Sequence, residues 1–192
     1  MKTLATIVVA SVLVGLVVVS VRTMSALRAE RLAEQKSVQR EVGKVDFYFD
    51  QLRFQQYDAS GRLVQQLDAH RVEHYEDDNR FILSRPTFTF FHPKEQPWVI
   101  TAIRGVSSNG RDLVNLSDRV NVVRERGKYN SRVQINTEQL RVHTDLRTAD
   151  TALAVSFLED ANLMRGVGAS IDFNQGVIKL ISQIHIWYKL NF

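Results

Sequence analysis

The sequence predicts an all-β meander, sandwich or roll carried behind one N-terminal membrane-spanning helix. Three observations lead there: a long uncharged apolar run at the start, a change from helical to alternating period near Val45, and turn signals recurring about every ten residues thereafter. Charge follows the same division. The 192 residues carry 25 Lys and Arg against 21 Asp and Glu, a net of +4. Lys2 is the one charged side chain before Arg22. Residues 22 to 44 add Arg22, Arg28, Arg31, Lys36, Arg40 and Lys44 against Glu30, Glu34 and Glu41, so residues 45 to 192 balance at 18 basic and 18 acidic. A basic excess beside an apolar terminus, and not on the body, removes the usual reason to expect nucleic acid as a partner. The absence of cysteine excludes disulfides, thiolate catalysis, Cys-based zinc sites and iron–sulfur clusters together.

The first element is the apolar run Leu4 to Val21, LATIVVASVLVGLVVVSV, 18 positions without a charge. At about 1.5 Å per residue it makes a helix of roughly 27 Å, close to the hydrocarbon thickness of a bilayer. A cleaved signal peptide is the competing reading, since Lys2 supplies a charged start. The length of the run and the lack of an A-x-A site after it favour a retained anchor. The expected domains are therefore a transmembrane helix over 1–22, a juxtamembrane helical linker over 23–44 and a β domain over 45–192. The linker is assigned helical because Met24 to Glu41 lacks Pro and Gly and is rich in helix formers.

In the body, Leu63, Leu67 and Ala69 alternate with polar neighbours, as do Trp98, Ile100 and Ala102. Turns are expected at Asp58 to Gly61, Asp77 to Asn79, His92 to Pro97, Asn109-Gly110, Arg126-Gly127 and Asn174 to Gly176. An internal repeat is also present. VNLSDRVNV (Val114 to Val122) and IKLISQIHI (Ile178 to Ile186) share the pattern apolar-x-Leu-x-x-x-apolar-x-apolar, with the same break in the alternation. TALAVSF (Thr151 to Phe157) repeats its last part more weakly. Stacked similar strand units grow along one axis and leave an elongated inner face with two ends.

Catalytic motifs do not assemble. HRVEH (His70 to His74) fits the pattern of an inverted zinc metalloprotease, but that chemistry needs both histidines on one face of a helix. On a strand of about 3.3 Å per residue the pair would stand roughly 13 Å apart and could not grip one ion, so no metal site is assigned. His92, His143 and His185 are isolated, and RGVG (Arg165 to Gly168) lacks the βαβ setting of a dinucleotide fingerprint. The acidic run Glu76 to Asp78 and the basic hairpin around Arg124, Arg126, Lys128 and Arg132 read as solvated turns. No catalytic residue and no cofactor is expected.

What remains is apolar surface, which is either sandwich core or an open inner face accepting acyl chains at about 0.8 kcal/mol per buried methylene. Candidate lining residues are Leu52, Phe54, Leu67, Leu83, Phe88, Phe90, Ile100, Leu116, Val120, Ile135, Phe157, Ile184 and Ile186. Candidate partner-edge residues are Phe47, Phe49, Ile178, Leu180, Ile184 and Tyr188.

The ordered strings YDASGRLVQQLDAHRVEHY (Tyr57 to Tyr75), RFILSRPTFTFF (Arg80 to Phe91), WVITAIRG (Trp98 to Gly105), VNLSDRVNV, INTEQLRV (Ile135 to Val142) and RGVGASIDFNQGVIKLIS (Arg165 to Ser182), behind a short anchor, resemble the LptC family of lipopolysaccharide export proteins. The resemblance implies a periplasmic β-jellyroll on one inner-membrane helix. It implies lipopolysaccharide as cargo, an inner-membrane ABC transporter (LptB, LptF, LptG) as donor and the bridge protein LptA as acceptor, with jellyrolls joined edge to edge. By position, Leu52 and Leu83 fall where the family lines its lipid groove. The first strand, Phe47 to Phe54, would face the transporter, and the last, Val177 to Leu190, would face the bridge protein. The positive-inside count, taken alone, puts the domain on the cytoplasmic side; the resemblance puts it in the periplasm. The chain departs from the family pattern at TADTALAVSF, which lacks the expected proline. The alternative function is a membrane-anchored β scaffold that binds only protein partners in envelope assembly.

Overall fold

The computed structural model describes residues 44–108, 112–128 and 130–187. The expected transmembrane helix, the helical linker, the Asn109-Gly110 turn and Tyr188 lie outside the described residues. Among the described residues, eleven strands form one antiparallel sheet: β1 (Val45–Tyr57), β2 (Leu63–Tyr75), β3 (Arg80–Ser84), β4 (Thr87–Phe90), β5 (Trp98–Thr101), β6 (Arg104–Ser108), β7 (Leu113–Arg124), β8 (Val133–His143), β9 (Thr148–Glu159), β10 (Asn162–Asp172) and β11 (Val177–Trp187). No helix among them is long and apolar enough to cross a membrane.

The register reduces these strands to a simple meander. β2 pairs with β3 through Arg71 to Tyr75 and with β4 through Gln65 to Asp68, so β3 and β4 are one strand bent at Arg85-Pro86. Likewise β7 pairs with β5 and then β6, which are one strand bent at Ala102-Ile103. The other strands bend at the same level. Gln51, Arg85, Asp118, Arg119, Gly168 and Gln183 all take positive φ there, and register shifts mark β7 between Ser117 and Val120 and β9 opposite Val167 and Ala169. Left-handed residues and bulges turn a strand sharply without ending its ladder. Their alignment makes a crease that folds one sheet into two facing flanks, one holding β4 and β5, the other β3 and β6.

The break shared by the repeated strings therefore has a structural meaning: it is the crease, at Asp118-Arg119 in β7 and Gln183 in β11. The core lies between the flanks. Phe88, Phe90, Trp98, Ile100, Val122 and Ile135 come from one side, and Leu83, Leu116, Leu140, Val142, Ile171 and Phe173 from the other.

Turn chemistry closes the meander where the sequence places it. The Asp58 carboxylate accepts from the backbone N–H of Ser60 and Arg62, and Gly61 supplies the left-handed position with φ of +78°. Asp172 accepts from Asn174 and Gln175 in the same way before Gly176. One expectation fails: the basic hairpin is not fully solvated. The Arg124 side chain is only 11 % exposed and pairs with Glu95 at 2.9 Å, because β7 carries it beside Trp98.

Gly168 is a crease position where a side chain would be both crowded and strained. A Cβ there would meet Ile181 at 3.1 Å in a backbone already at φ +78°, whereas one at Gly61, with the same φ, meets nothing within 4 Å. Gly168→Ala is expected to cost about 1–3 kcal/mol in urea unfolding, and Gly61→Ala less, the difference measuring the collision with Ile181.

Candidate functional site

Reading across the strands, and not along them, exposes the site. In the first flank the paired residues Phe54, Leu67, Phe88, Ile100, Val122, Ile135, Phe157, Met164 and Ile186 form a single row, each opposite the next. All are apolar. In the second flank the row is Phe47, His74, Phe81, Ser107, Val114, Val142, Ala149, Ile171 and Ile178. The first row, and the second apart from His74 and Ser107, give the space between the flanks an apolar lining from β1 to β11.

Burial along the path is uneven. Leu83, Phe88, Phe90, Ile100, Leu116, Val120, Ile135 and Phe157 are buried, and Leu52 and Leu67 are partly buried against them. Phe54, Ile184 and Ile186 are exposed. The candidate lining residues thus fall in one interior, packed in its middle and uncovered at its ends. The partner-edge candidates divide likewise: Phe47 and Phe49 on β1 and Ile184 on β11 are exposed, and Ile178 and Leu180 pack partly against the core. Phe49 is 50 % exposed although it points the same way as its buried partner Val72. It lacks cover because, among the described residues, no strand continues the sheet beyond it.

Among the described residues, β1 pairs with β2 alone, and β11 with β10 alone. Each is therefore a terminal strand of the described sheet, and the outer edge of such a strand is a surface that templates strand addition. Last-strand pairing runs from Asp172↔Val177 to Leu163↔Trp187, so the described edge ends three residues before Leu190.

Sequence patterns missed a cluster at the β1 end. His74 stands on β2 as expected, so the HRVEH segment is strand, but its ring faces the path. It stacks on Phe47 at 4.6 Å and lies 4.5 Å from Phe81. Nδ1 contacts the Asp46 carboxylate at 2.7 Å and Nε2 the Asn79 side-chain oxygen at 3.0 Å. With both nitrogens donating, the imidazolium is favoured. The Asn79 bond, followed by Asp46, holds the His74 pKa above its ordinary value, against the opposing effect of burial. The only available signal was Asn79 in an expected turn; Asp46 is 28 residues away. His70, by contrast, is exposed.

The missed cluster in the middle is Phe90, Trp98 and Phe173 with Arg124 and Arg147 around it. Phe173 directly precedes the expected Asn174 to Gly176 turn and lies outside the expected alternating runs, and nothing local marks Arg147 as a partner for a carbonyl 56 positions away.

The family described as lipopolysaccharide-assembly, LptC-related, matches residues 12–189 of the 192. The chain belongs to this family. Membership associates it with lipopolysaccharide transport, and the family is one of transport proteins, with no known enzyme function. Among solved structures, the chain is similar to LptH from Pseudomonas aeruginosa, titled the LptA-homologous periplasmic component of the conserved lipopolysaccharide transport device. The TM-score is 0.51 at 6 % identity, over 66 % of this chain and 95 % of that one, so the likeness is one of fold: an LptA-like β-jellyroll. No curated protein sequence matches.

The β1 end yields a pH dependence with a definite sign. A histidine whose folded pKa is raised adds stability that is complete below its ordinary value of 6.5 and is lost as pH rises through the folded value. The urea midpoint should therefore fall as pH rises above the ordinary histidine value of 6.5. His74→Gln should flatten that part of the profile.

Proposed function

We propose that the chain is a membrane-anchored, non-enzymatic relay that accepts lipopolysaccharide at its β1 end and passes it between the two flanks to its β11 end. The observation that carries this reading is the transverse row from Phe54 to Ile186: apolar at every position, buried in the middle and exposed at both ends. An ordinary sandwich core would be capped at its ends. Here Phe54 is 38 % and Ile186 44 % exposed, and each lies on a terminal strand of the sheet among the described residues.

Acyl chains fit such a path energetically. Each methylene removed from water contributes about 0.8 kcal/mol, so a lipid with several long chains cannot cross an aqueous space unescorted at a useful rate. The apolar path accepts any chain of sufficient length because dispersion and burial are non-directional. The charged head group would stay outside.

The free edges suit donor and acceptor proteins that extend the same sheet, as in β-augmentation. β1 would meet the periplasmic part of an inner-membrane ABC transporter (LptB, LptF, LptG) and β11 the bridge protein LptA. Strand addition there would cover Phe49 or Ile184 and carry the apolar row into the next jellyroll. The anchor assigned to residues 4–21 would tether the domain to the inner membrane, with the domain in the periplasm.

Photoreactive side chains at Leu52, Leu83 and Phe90 are expected to capture lipopolysaccharide; no adduct at any of the three would remove the interior as the lipid site. Persistent edge pairing without lipid adducts would favour a scaffold that binds only protein. Truncation after Asn174 is expected to abolish capture of the bridge protein in a pull-down while the transporter still co-purifies. Retained bridge binding would contradict the edge assignment.

A further inference from the structure

Among the described residues, the flanks share backbone hydrogen bonds only along the crease, and away from it side chains hold them together. The ring and guanidinium contacts that do so gather at one place. Phe90, at the end of β4 on the first flank, stacks on Phe173 with ring centroids 4.8 Å apart and planes at 17°. Phe173 follows β10 on the second flank and meets Trp98 edge-on at 5.7 Å. Arg147, between β8 and β9 on the second flank, donates from Nη2 to the Phe91 carbonyl on the first, with its guanidinium 5.8 Å from the Phe90 ring. Its own carbonyl accepts from the Phe173 N–H at 3.1 Å. From the first flank, Arg124 lies over Trp98 at 4.6 Å and packs so closely on Gly176 that a Cβ there would come within 2.9 Å of Nη1.

The closed arrangement carries internal costs. Arg147 has a positive φ of 54°, and the Nε atoms of Arg124 and Arg147 are buried without a hydrogen-bond partner. Burial also pushes the Arg147 pKa down. Meanwhile Phe88, Ile100, Leu116 and Ile135 are at most 1 % exposed, so the space between the flanks is filled by side chains. A close-packed interior does not admit an acyl chain unless its walls move. Bending at the crease would move them with the ladders within each flank intact, because the backbone is already turned there.

We propose that the Phe90–Phe173–Trp98 cluster and the Arg147 bond to Phe91 form a clasp that must release before an acyl chain can lie between the flanks. The inference rests on the reading of the interior as the lipid site. It adds that the two uncovered ends bind lipid readily while the middle of the path is gated.

A crosslink across the clasp tests this. The full chain contains no cysteine, so His92→Cys and Leu146→Cys, each next to a clasp residue, supply the only two thiols for a short bis-maleimide. A photoreactive group is placed in turn at Phe54, on the uncovered end, and at Ile135, in the middle of the row, and purified lipopolysaccharide is the probe. Crosslinking is expected to lower capture at Ile135 by tenfold or more and to leave capture at Phe54 unchanged. Equal capture at Ile135 before and after crosslinking overturns the clasp while leaving the interior reading intact. Loss at both positions also overturns it, since the ends would then depend on the same contacts. No capture at either position in the uncrosslinked protein overturns the interior reading and the clasp with it. As a second arm, Arg147→Met keeps the apolar stem and removes the bond to Phe91; Ile135 capture should become several-fold faster, and an unchanged rate counts against the proposal.

Discussion

The crease is the constraint on which the rest depends. A single antiparallel sheet of long strands has to bury one face, and without a second sheet it can do so only by folding on itself. Every strand must then turn at the same level while its ladder continues. Residues such as Gln51, Arg85, Asp118, Arg119 and Gln183 accept a left-handed backbone there, at a cost of about 1–3 kcal/mol for each non-glycine residue in general. The facing rows of apolar side chains offset that cost, because they meet only when all the turns align. Gly168 shows how tight the alignment is, with Ile181 directly opposite it.

A folded meander differs from a barrel in one respect that bears on function. Closure of a barrel removes both edges; folding along a crease leaves both. Among the described residues the inner face is then uncovered at β1 and β11, the two terminal strands of the sheet. In the proposed relay, lipid binding and partner binding would be two consequences of one architecture. A strand added at either edge would complete the ladder and extend the apolar row in the same step.

Much of this was legible along the chain. The alternation at Leu63, Leu67 and Ala69 identified a strand, the Asp58 and Asn174 turns formed as their residue types require, and HRVEH was recognised as strand and not helix. The broken alternation of VNLSDRVNV and IKLISQIHI held information about the crease, since an extra residue in a bulge shifts the inward set by one. What stayed hidden were contacts between residues far apart, such as His74 with Asp46, Phe90 with Phe173 and Arg147 with Phe91. Arg124 was misjudged as solvated because its burial comes from Trp98 on a neighbouring strand.

The sequence by itself determined which side of each strand is apolar, where the chain turns and that charge balances across the β domain, because these depend on neighbours a few residues away. It could not separate core from path. Phe49 and Ile184 carry the same inward apolar pattern as Leu83 and Ile135, yet two are exposed and two buried. Only the tertiary structure decided that, since burial of an inward side chain depends on whether another strand lies beyond it. Position in the stack, from β1 to β11, is a property of the folded sheet and is written in no local string.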